Sequence, residues 1–451
     1  MMRSLYSGVA GLKTHQTRMD VIGNNIANVN TTAYKSQSMT FSDLMYQTTQ
    51  AASGANPTTG VGGTNARQIG LGAKTSAIKT AITTQGASQT TNDPFDIMIT
   101  GDSFFIVNNG QNNYFTRDGS FYVDGAGNLA MTSTGYNVMG WQVDPNDASA
   151  IKQDTVSALR VMTTENMTYP PEATKSARIS GIIDKNDTNV NATAGKIMNL
   201  EFYDNQGYKY TAKLSVHSTK TDGQFTVKLD DILDSKGKTV LADPTKASLQ
   251  QNNADVKDPV LEFDLKNGSF KNVGTAGGKE STLTLHFDTG TFPSFTDITI
   301  DFSKCSNLNN NGSSTVSPIR GDAKGNGAGR KVGEMSGIEI QKDGMIYANY
   351  DNGCSRLLGQ IAVATFANAS GLAKEGDNLY SATQNSGDFD GIGTDITTGG
   401  GYMNTGVLEM SNVDLSSEFT EMITTQRGFQ ANSRIITVSD TLLEELTNLK
   451  R

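Results

Sequence analysis

Residues able to do covalent or metal chemistry are few and scattered. His15, His217 and His286 are the only histidines. A catalytic imidazole or a metal ligand needs converging partners, and no two of these stand at a ligand's spacing. The run Gly321-Asp322-Ala323-Lys324-Gly325-Asn326-Gly327-Ala328-Gly329-Arg330-Lys331 has the glycines of a phosphate loop. It lacks the Gly-Lys-Ser/Thr ending and the strand-to-helix setting, so it reads as a flexible connector. Asp388, Asp390 and Asp395 share a glycine-rich turn whose spacing misses the EF-hand loop, and they read as a solvated acidic turn. Asn267-Gly268-Ser269 fits a glycosylation acceptor and a hairpin turn equally well. Cys305 and Cys354 are too few for a disulfide framework, lack metal-ligand spacing and leave the redox compartment open. No catalytic, cofactor-binding or metal residue is nominated.

Composition narrows the partners. The chain has 451 residues, enough for about three domains. Its net charge is −9 with no basic run, which argues against nucleic acid, because phosphate binding needs clustered Lys and Arg. No stretch approaches a membrane span. Met1 to Leu12 lacks the apolar run and cleavage site of a Sec signal peptide, so work outside the cell would need another export route.

The organising elements are at the termini. Leu415, Met422, Phe429, Ile436 and Leu443 recur every seven residues without an intervening proline, with Phe419 beside them. This predicts one helix roughly 50 Å long. Asp414 is its expected N-cap, Glu418 puts negative charge in the first turn, and Lys450 and Arg451 put positive charge in the last. Leu5, Leu12, Met19 and Ile26 repeat the spacing at the other end, with Val9, Ile22 and Val29 widening the stripe. The flanking rows are small or polar, Gln16 and Gly23 in one helix and Gln426, Ser433 and Asp440 in the other, so a two-helix contact buries only a narrow strip. Ile435, Leu442, Leu446 and Leu449 add a second face that one neighbour cannot cover. These stripes are the expected polymer interface.

Between the termini the pattern is β. Residues 46–93 read as an extended connector rich in Ala, Gly, Thr and Gln. Residues 94–155 carry short strands separated by Gly-Asp, Asn-Gly and Asp-Gly turns, and residues 335–404 read as the returning half of the same discontinuous inner domain. Residues 156–334 alternate as an outer β domain, with a further subdomain expected around Asp231 to Asp258. The expected fold class is α+β and multidomain: a helical assembly region (1–45 and 405–451) enclosing nested, mainly β domains.

Two motifs add a resemblance. Asn24-Asn25-Ile26-Ala27-Asn28, followed by Asn30-Thr31 and Tyr34-Lys35, resembles the N-terminal signature of the bacterial flagellar axial family of rod, hook and hook-associated proteins. Ala33 stands where that family usually has glycine. Ser411-Asn412 and Asp414, then Gln426-Arg427 and Asn432, resemble its closing motif, with Gly428 at a small-residue position. Phe104-Phe105, Thr116-Arg117-Asp118-Gly119-Ser120-Phe121 and Gly135 to Gly140 resemble its first globular domain. The long insertion after Gly140-Trp141 favours the hook branch over the shorter distal rod branch.

The resemblance implies an extracellular, non-enzymatic structural subunit without cofactors, exported by the flagellar type III apparatus. It also implies a flexible helical homopolymer that transmits torque. Implied partners are further copies of itself, rod and hook-filament junction proteins, and the hook cap and export apparatus during assembly. A secreted adhesin-like β protein would suit the Asn/Thr-rich middle but gives no reason for paired terminal stripes.

Overall fold

The computed structural model describes residues 2–54, 60, 62–145, 147–241, 246–252, 254–275 and 277–449. Lys450 and Arg451, expected to oppose the dipole of the last helix, lie outside them. The chain divides into two compact units, Met1–Thr163 with Ile338–Ala348 and Arg356–Arg451, and Thr164–Gly337 with Asn349–Ser355.

In the first unit the terminal helices α1 (Met2–Ala27) and α2 (Leu415–Asn448) pack against each other. Asp414 caps α2 by accepting from Ser416 N at 2.9 Å and Ser417 N at 3.5 Å, and Glu418 lies in the first turn. The asparagine-rich end of α1 turns the chain into β1 (Gln37–Asp43). Then come β2 (Tyr46–Gln50), β3 (Arg67–Gly70), β4 (Ala73–Thr80) and β5 (Ser88–Thr90). β1 pairs antiparallel with β4, from Gln37↔Thr80 to Asp43↔Ala73, with a bulge between Thr40 and Phe41. β2 and β3 form an exposed ribbon, and β5 pairs with Val407–Glu409 ahead of α2. Both chain ends are thereby stitched to the connector.

The rest of this unit is an antiparallel sheet. Its strands run Ser355–Ile361, Asn137–Asp144, Phe104–Asn108, Asn113–Thr116, Leu379–Ser381 and Ala373–Gly376 in spatial order. Ile82, Phe104, Ile106, Phe115, Trp141 and Tyr380 form its core. The Trp141 indole finds the partner a buried N–H requires, donating to Ile392 O at 2.9 Å.

The second unit holds two sheets over one core. The five-stranded sheet runs from Lys196–Tyr203 to Phe270–Gly274, and the six-stranded one is centred on Thr282–Phe287 and Ile298–Ser306. The alternating residues Met198, Leu200, Phe202, Leu283, Leu285, Phe287, Ile298, Ile300 and Phe302 all point into that core. Within Asp231 to Asp258, Leu241, Ala247 and Leu249 join the same core, and Ala247–Gln251 and Ala254–Asp255 extend the six-stranded sheet.

Candidate functional site

The helix pair keeps one register along its length. A Cβ at Gly8 would lie 3.4 Å from Ile436 Cγ1 and 3.6 Å from Ile435 Cγ2. At Gly11 it would lie 2.6 Å from Asn432 Nδ2, and at Gly428 it would lie 2.6 Å from His15 Cε1. Farther along, Asn25 bonds Glu418. From Gly8 to Asn25 α1 advances as many residues as α2 retreats from Ile435 to Glu418, so the pair is antiparallel and unslipped. Glycines at the crossing let the backbones approach, and small or polar residues carry the seam, with Thr14, Thr425 and Ser439 buried there.

The apolar stripes are therefore only partly used. Leu5, Leu12, Met19 and Ile26 on α1, and Met422, Phe429, Ile436 and Leu443 on α2, are half-buried, while Ile22 is buried. Val9, Leu415, Phe419, Ile423, Ile435, Val438, Leu442 and Leu446 remain exposed, as does Leu449 at 83%. Past Thr441, which this register sets opposite Met2, α2 runs on with Leu442 and Leu446 uncovered.

At the other end of the pair lies a polar clasp. Asn25 is fully buried. Its amide donates to Gln37 O at 2.7 Å and Glu418 Oε1 at 2.8 Å, and its oxygen accepts from Gln37 N at 2.9 Å and the Tyr34 hydroxyl at 3.3 Å. It thus ties α1, β1 and α2 together. Asn24 donates to the Tyr34 hydroxyl at 3.1 Å, and Asn28 donates back to Asn24 O at 2.9 Å while accepting from the Thr31 hydroxyl at 3.0 Å. Asn412 accepts from Ser36 N at 2.7 Å and donates to Ala81 O and Thr84 O, each at 3.0 Å. The signature asparagines act as backbone substitutes where three segments meet.

Charge is buried at the same junction. Lys35 Nζ reaches Glu409 Oε1 at 2.7 Å, both side chains being 1% exposed, and also donates to Thr84 O at 2.8 Å. Glu409 Oε1 accepts from Gly86 N at 2.8 Å as well. Arg117 Nη1 stands 3.9 Å from Glu409 Oε2, its Nη2 donates to Gly101 O, and the guanidinium lies 5.2 Å over the Phe104 ring. Burial holds the Lys35 ammonium and the Arg117 guanidinium below their usual ranges, with the Glu409 charge opposing that shift in each. Arg117 stands in the stretch that resembles the first globular domain, and Glu409 lies two residues before the closing motif. In the sequence Glu409 is marked as a lone charge between Leu408 and Met410, whereas Arg117, between Thr116 and Asp118, carries no such mark.

The other signature positions are less involved. Ala27 and Asn30 are exposed, as are Gln426 and Arg427, whose Nη1 bonds Gln430 Oε1 at 3.3 Å. The Ser411 hydroxyl accepts from Val413 N at 3.3 Å, just before the Asp414 cap. Ala33 adopts φ +53 and donates its N–H to Glu409 O at 2.7 Å.

Comparison with known proteins identifies this architecture. The chain is 37% identical to the flagellar hook protein FlgE of Borreliella burgdorferi, with 100% of both chains covered. The chain belongs to the flagellar hook protein FlgE family. It is 34% identical to FlgE of Treponema pallidum and 30% identical to the flagellar basal-body rod protein FlgG of Bacillus subtilis, again over the full length of both. A crystal structure of Helicobacter pylori FlgE2 aligns with 71% of this chain and 100% of its own at 15% identity, with a TM-score of 0.41. Family profiles match in order: flagella basal body rod protein at residues 5–35, flagellar hook protein FlgE/F/G D1 domain at 98–180, and flagellar basal body rod FlgEFG protein C-terminal at 404–449. The clasp joins all three matched segments, through Lys35, Arg117 and Glu409.

Members of this flagellar family are structural subunits rather than enzymes, and the scattered chemical residues have local duties. His217 Nε2 meets the Ser215 hydroxyl at 3.0 Å, which itself donates to Asp230 at 2.9 Å. The hydroxyl sits between the other two, whereas nucleophile activation needs the imidazole in the middle. His286 pairs with Asp297 at 2.8 Å. Gly321 to Lys331 is a packed turn and not a flexible connector: Asp322 Oδ1 accepts from Lys324 N and Asn326 N at 2.8 Å, Gly327 O accepts from Lys175 N and Ser176 N, and a side chain at Gly329 would collide with Thr174. Asn267-Gly268-Ser269 is a hairpin turn, with Asn267 Oδ1 accepting from Ser269 N at 3.0 Å. Asp390 accepts from Ile392 N, and Asp395 caps a short helix through Thr397 N. Cys305 and Cys354 are free and buried, and burial pushes the Cys305 thiol up to about 12.

Proposed function

We propose that this chain is a structural subunit of the bacterial flagellar hook, polymerising into a flexible extracellular tube that transmits torque from rod to filament. The observation that carries the proposal is the uncovered apolar surface of α2, from Phe419 to Leu449, on a helix that α1 covers along one row only. An apolar side chain left in water forgoes about 1.5–3 kcal/mol, and no other segment of the first unit covers these among the described residues. Further copies of the chain supply the cover. Rod and hook-filament junction proteins would meet the two ends of such a tube, and the hook cap and type III export apparatus would act during growth.

Deletion of Leu415 to Arg451 tests this. The full chain should give hollow, bent tubes by electron microscopy, and the deleted chain should give none while remaining a monomer. Tubes from the deleted chain would defeat the proposal. A rod role has one observation in its favour, the full-length similarity to the Bacillus subtilis FlgG protein. Straight, unbending tubes would select it.

A further inference from the structure

The exposed apolar residues of α2 do not form one stripe. At roughly 100° per residue, Leu415, Phe419 and Ile423 fall roughly 80 to 160° to one side of the row that faces α1. Ile435, Val438, Leu442, Leu446 and Leu449 fall roughly 60 to 140° to the other side by the same geometry. All eight are exposed, Ile423 at 58% and Leu442 at 45% among them. The flank opposite each patch is polar or small, with Ser417, Thr420, Thr424 and Ala431 in the first half of the helix and Ser433, Thr437, Glu444 and Asn448 in the second. The apolar surface changes sides between Ile423 and Ile435.

We infer that α2 joins subunits head to tail: the patch around Leu442 of one chain seats on the patch around Phe419 of a second copy, whose own Leu442 patch is left for a third. This rests on the polymer reading above and specifies its contact. A neighbour runs along one flank only, so no single copy covers both patches. A contact made from two different surfaces of the same molecule gives an open helical array wherever its rotation does not close into a ring.

Size fits that use. Each patch exposes on the order of a few hundred Å² of apolar surface, the size of the largest patch on a typical monomer, which is often functional. That is below the roughly 800 Å² per partner of a standard stable complex, so an isolated pair is weak and the contact holds when every subunit makes it twice. The centres of the patches, Phe419 and Leu442, are roughly 35 Å apart along the helix, which sets the axial displacement between the paired copies.

Disulfide trapping in assembled tubes tests the pairing. The full chain carrying both Ile423→Cys and Leu442→Cys, polymerised and then oxidised, should run as a ladder of dimers, trimers and higher multimers on a non-reducing gel. Each single variant, and the unmodified chain with its buried Cys305 and Cys354, should run as monomer. Tubes of the double variant that yield only monomer overturn the pairing, and so does a dimer from either single variant, which would mean a patch packing on its own copy. Should the double variant not polymerise, Phe419→Cys with Leu446→Cys poses the same question at an adjacent turn. If the unmodified chain forms no tubes at all, the polymer reading falls and takes the pairing with it.

Discussion

The buried polar groups and the exposed apolar groups of the α1–α2 pair find their partners in different places. Near Asn25 the buried amides and charges are answered from within the chain, by Gln37, Glu418, Thr84 and the Lys35–Glu409 ion pair. The apolar side chains left exposed on α2, Leu415, Phe419 and Ile423 beside the clasp and Leu442, Leu446 and Leu449 at the far end, wait for another molecule. The asymmetry follows from what each kind of group loses alone. An exposed leucine merely forgoes about 1.5–3 kcal/mol, which a folded subunit tolerates until it assembles. A buried charge without its counter-ion costs several kcal/mol at once, so it cannot wait. A subunit that must exist before it polymerises should therefore answer its buried charges within the chain and can leave its exposed apolar groups, at Phe419 beside the clasp as well as at Leu442, for a second copy.

The sharpest way to break this comparison is to remove the anion of the clasp. Glu409→Ala leaves Lys35 and Arg117 buried against no carboxylate and should cost about 3–5 kcal/mol, a large part of the roughly 5–15 kcal/mol of a typical domain. Urea denaturation of the full chain measures it. A loss under about 1 kcal/mol would mean that water already reaches the junction. Leu446→Ser should behave in the opposite way. The side chain is already 47% exposed, so monomer stability should change by less than about 0.5 kcal/mol. Burying the remainder in the tube contributes about 1 kcal/mol, so the critical concentration for polymerisation should rise roughly five-fold. An unchanged critical concentration together with a lowered monomer stability would place Leu446 among the groups answered within the chain.

Sequence periodicity revealed some of this and not the rest. The terminal helices were legible because Leu5 to Ile26 and Leu415 to Leu443 repeat at helical spacing, and the strands of the second unit because Leu283, Leu285 and Phe287 alternate. The crossing was not, because Gly8, Gly11 and Gly428 carry no side chain to make a pattern, although they decide how closely the helices approach. They also explain why Val9, expected to widen the buried stripe, stays in water. The clasp was half legible. Asn25 and Lys35 stood out by motif, but Glu409 and Arg117 are isolated charges whose partners lie far away in the chain, and only the folded chain brings them together.

Ala33 was conspicuous as an alanine at a glycine position, and the structure supplies the reason: φ is +53 there. A left-handed conformation costs an L residue about 1–2 kcal/mol, while the buried methyl returns about 0.8 kcal/mol. Ala33→Gly should therefore raise stability, by at most about 1 kcal/mol. A clear loss on denaturation would show that packing of the methyl outweighs the backbone.

The smallest expected effect lies at the crossing itself. His15 stands against Gly428 and the edge of Phe41, with ring centroids 5.5 Å apart, and its Nδ1 is buried without a hydrogen-bond partner among the described residues. Arg18, paired with Glu421 at 2.9 Å, is the nearby charge. Burial first, and the Arg18 charge second, hold the imidazole below its usual 6.5. As pH falls, the unfolded chain therefore takes up this proton before the folded one does. The stability due to a neutral His15 is complete above 6.5 and is lost as pH drops from there to the lower folded value, below which the loss levels off. The slope cannot exceed about 1.4 kcal/mol per pH unit, and partial exposure of the ring keeps it well under that bound. Melting temperatures from about pH 7.5 to about pH 5 should decline less steeply for His15→Gln than for the unmodified chain. Equal slopes would place the acid sensitivity of the subunit elsewhere, with Glu418 excluded by sign: its carboxyl is held above its ordinary value, chiefly by burial, so protonation favours the folded chain as pH falls.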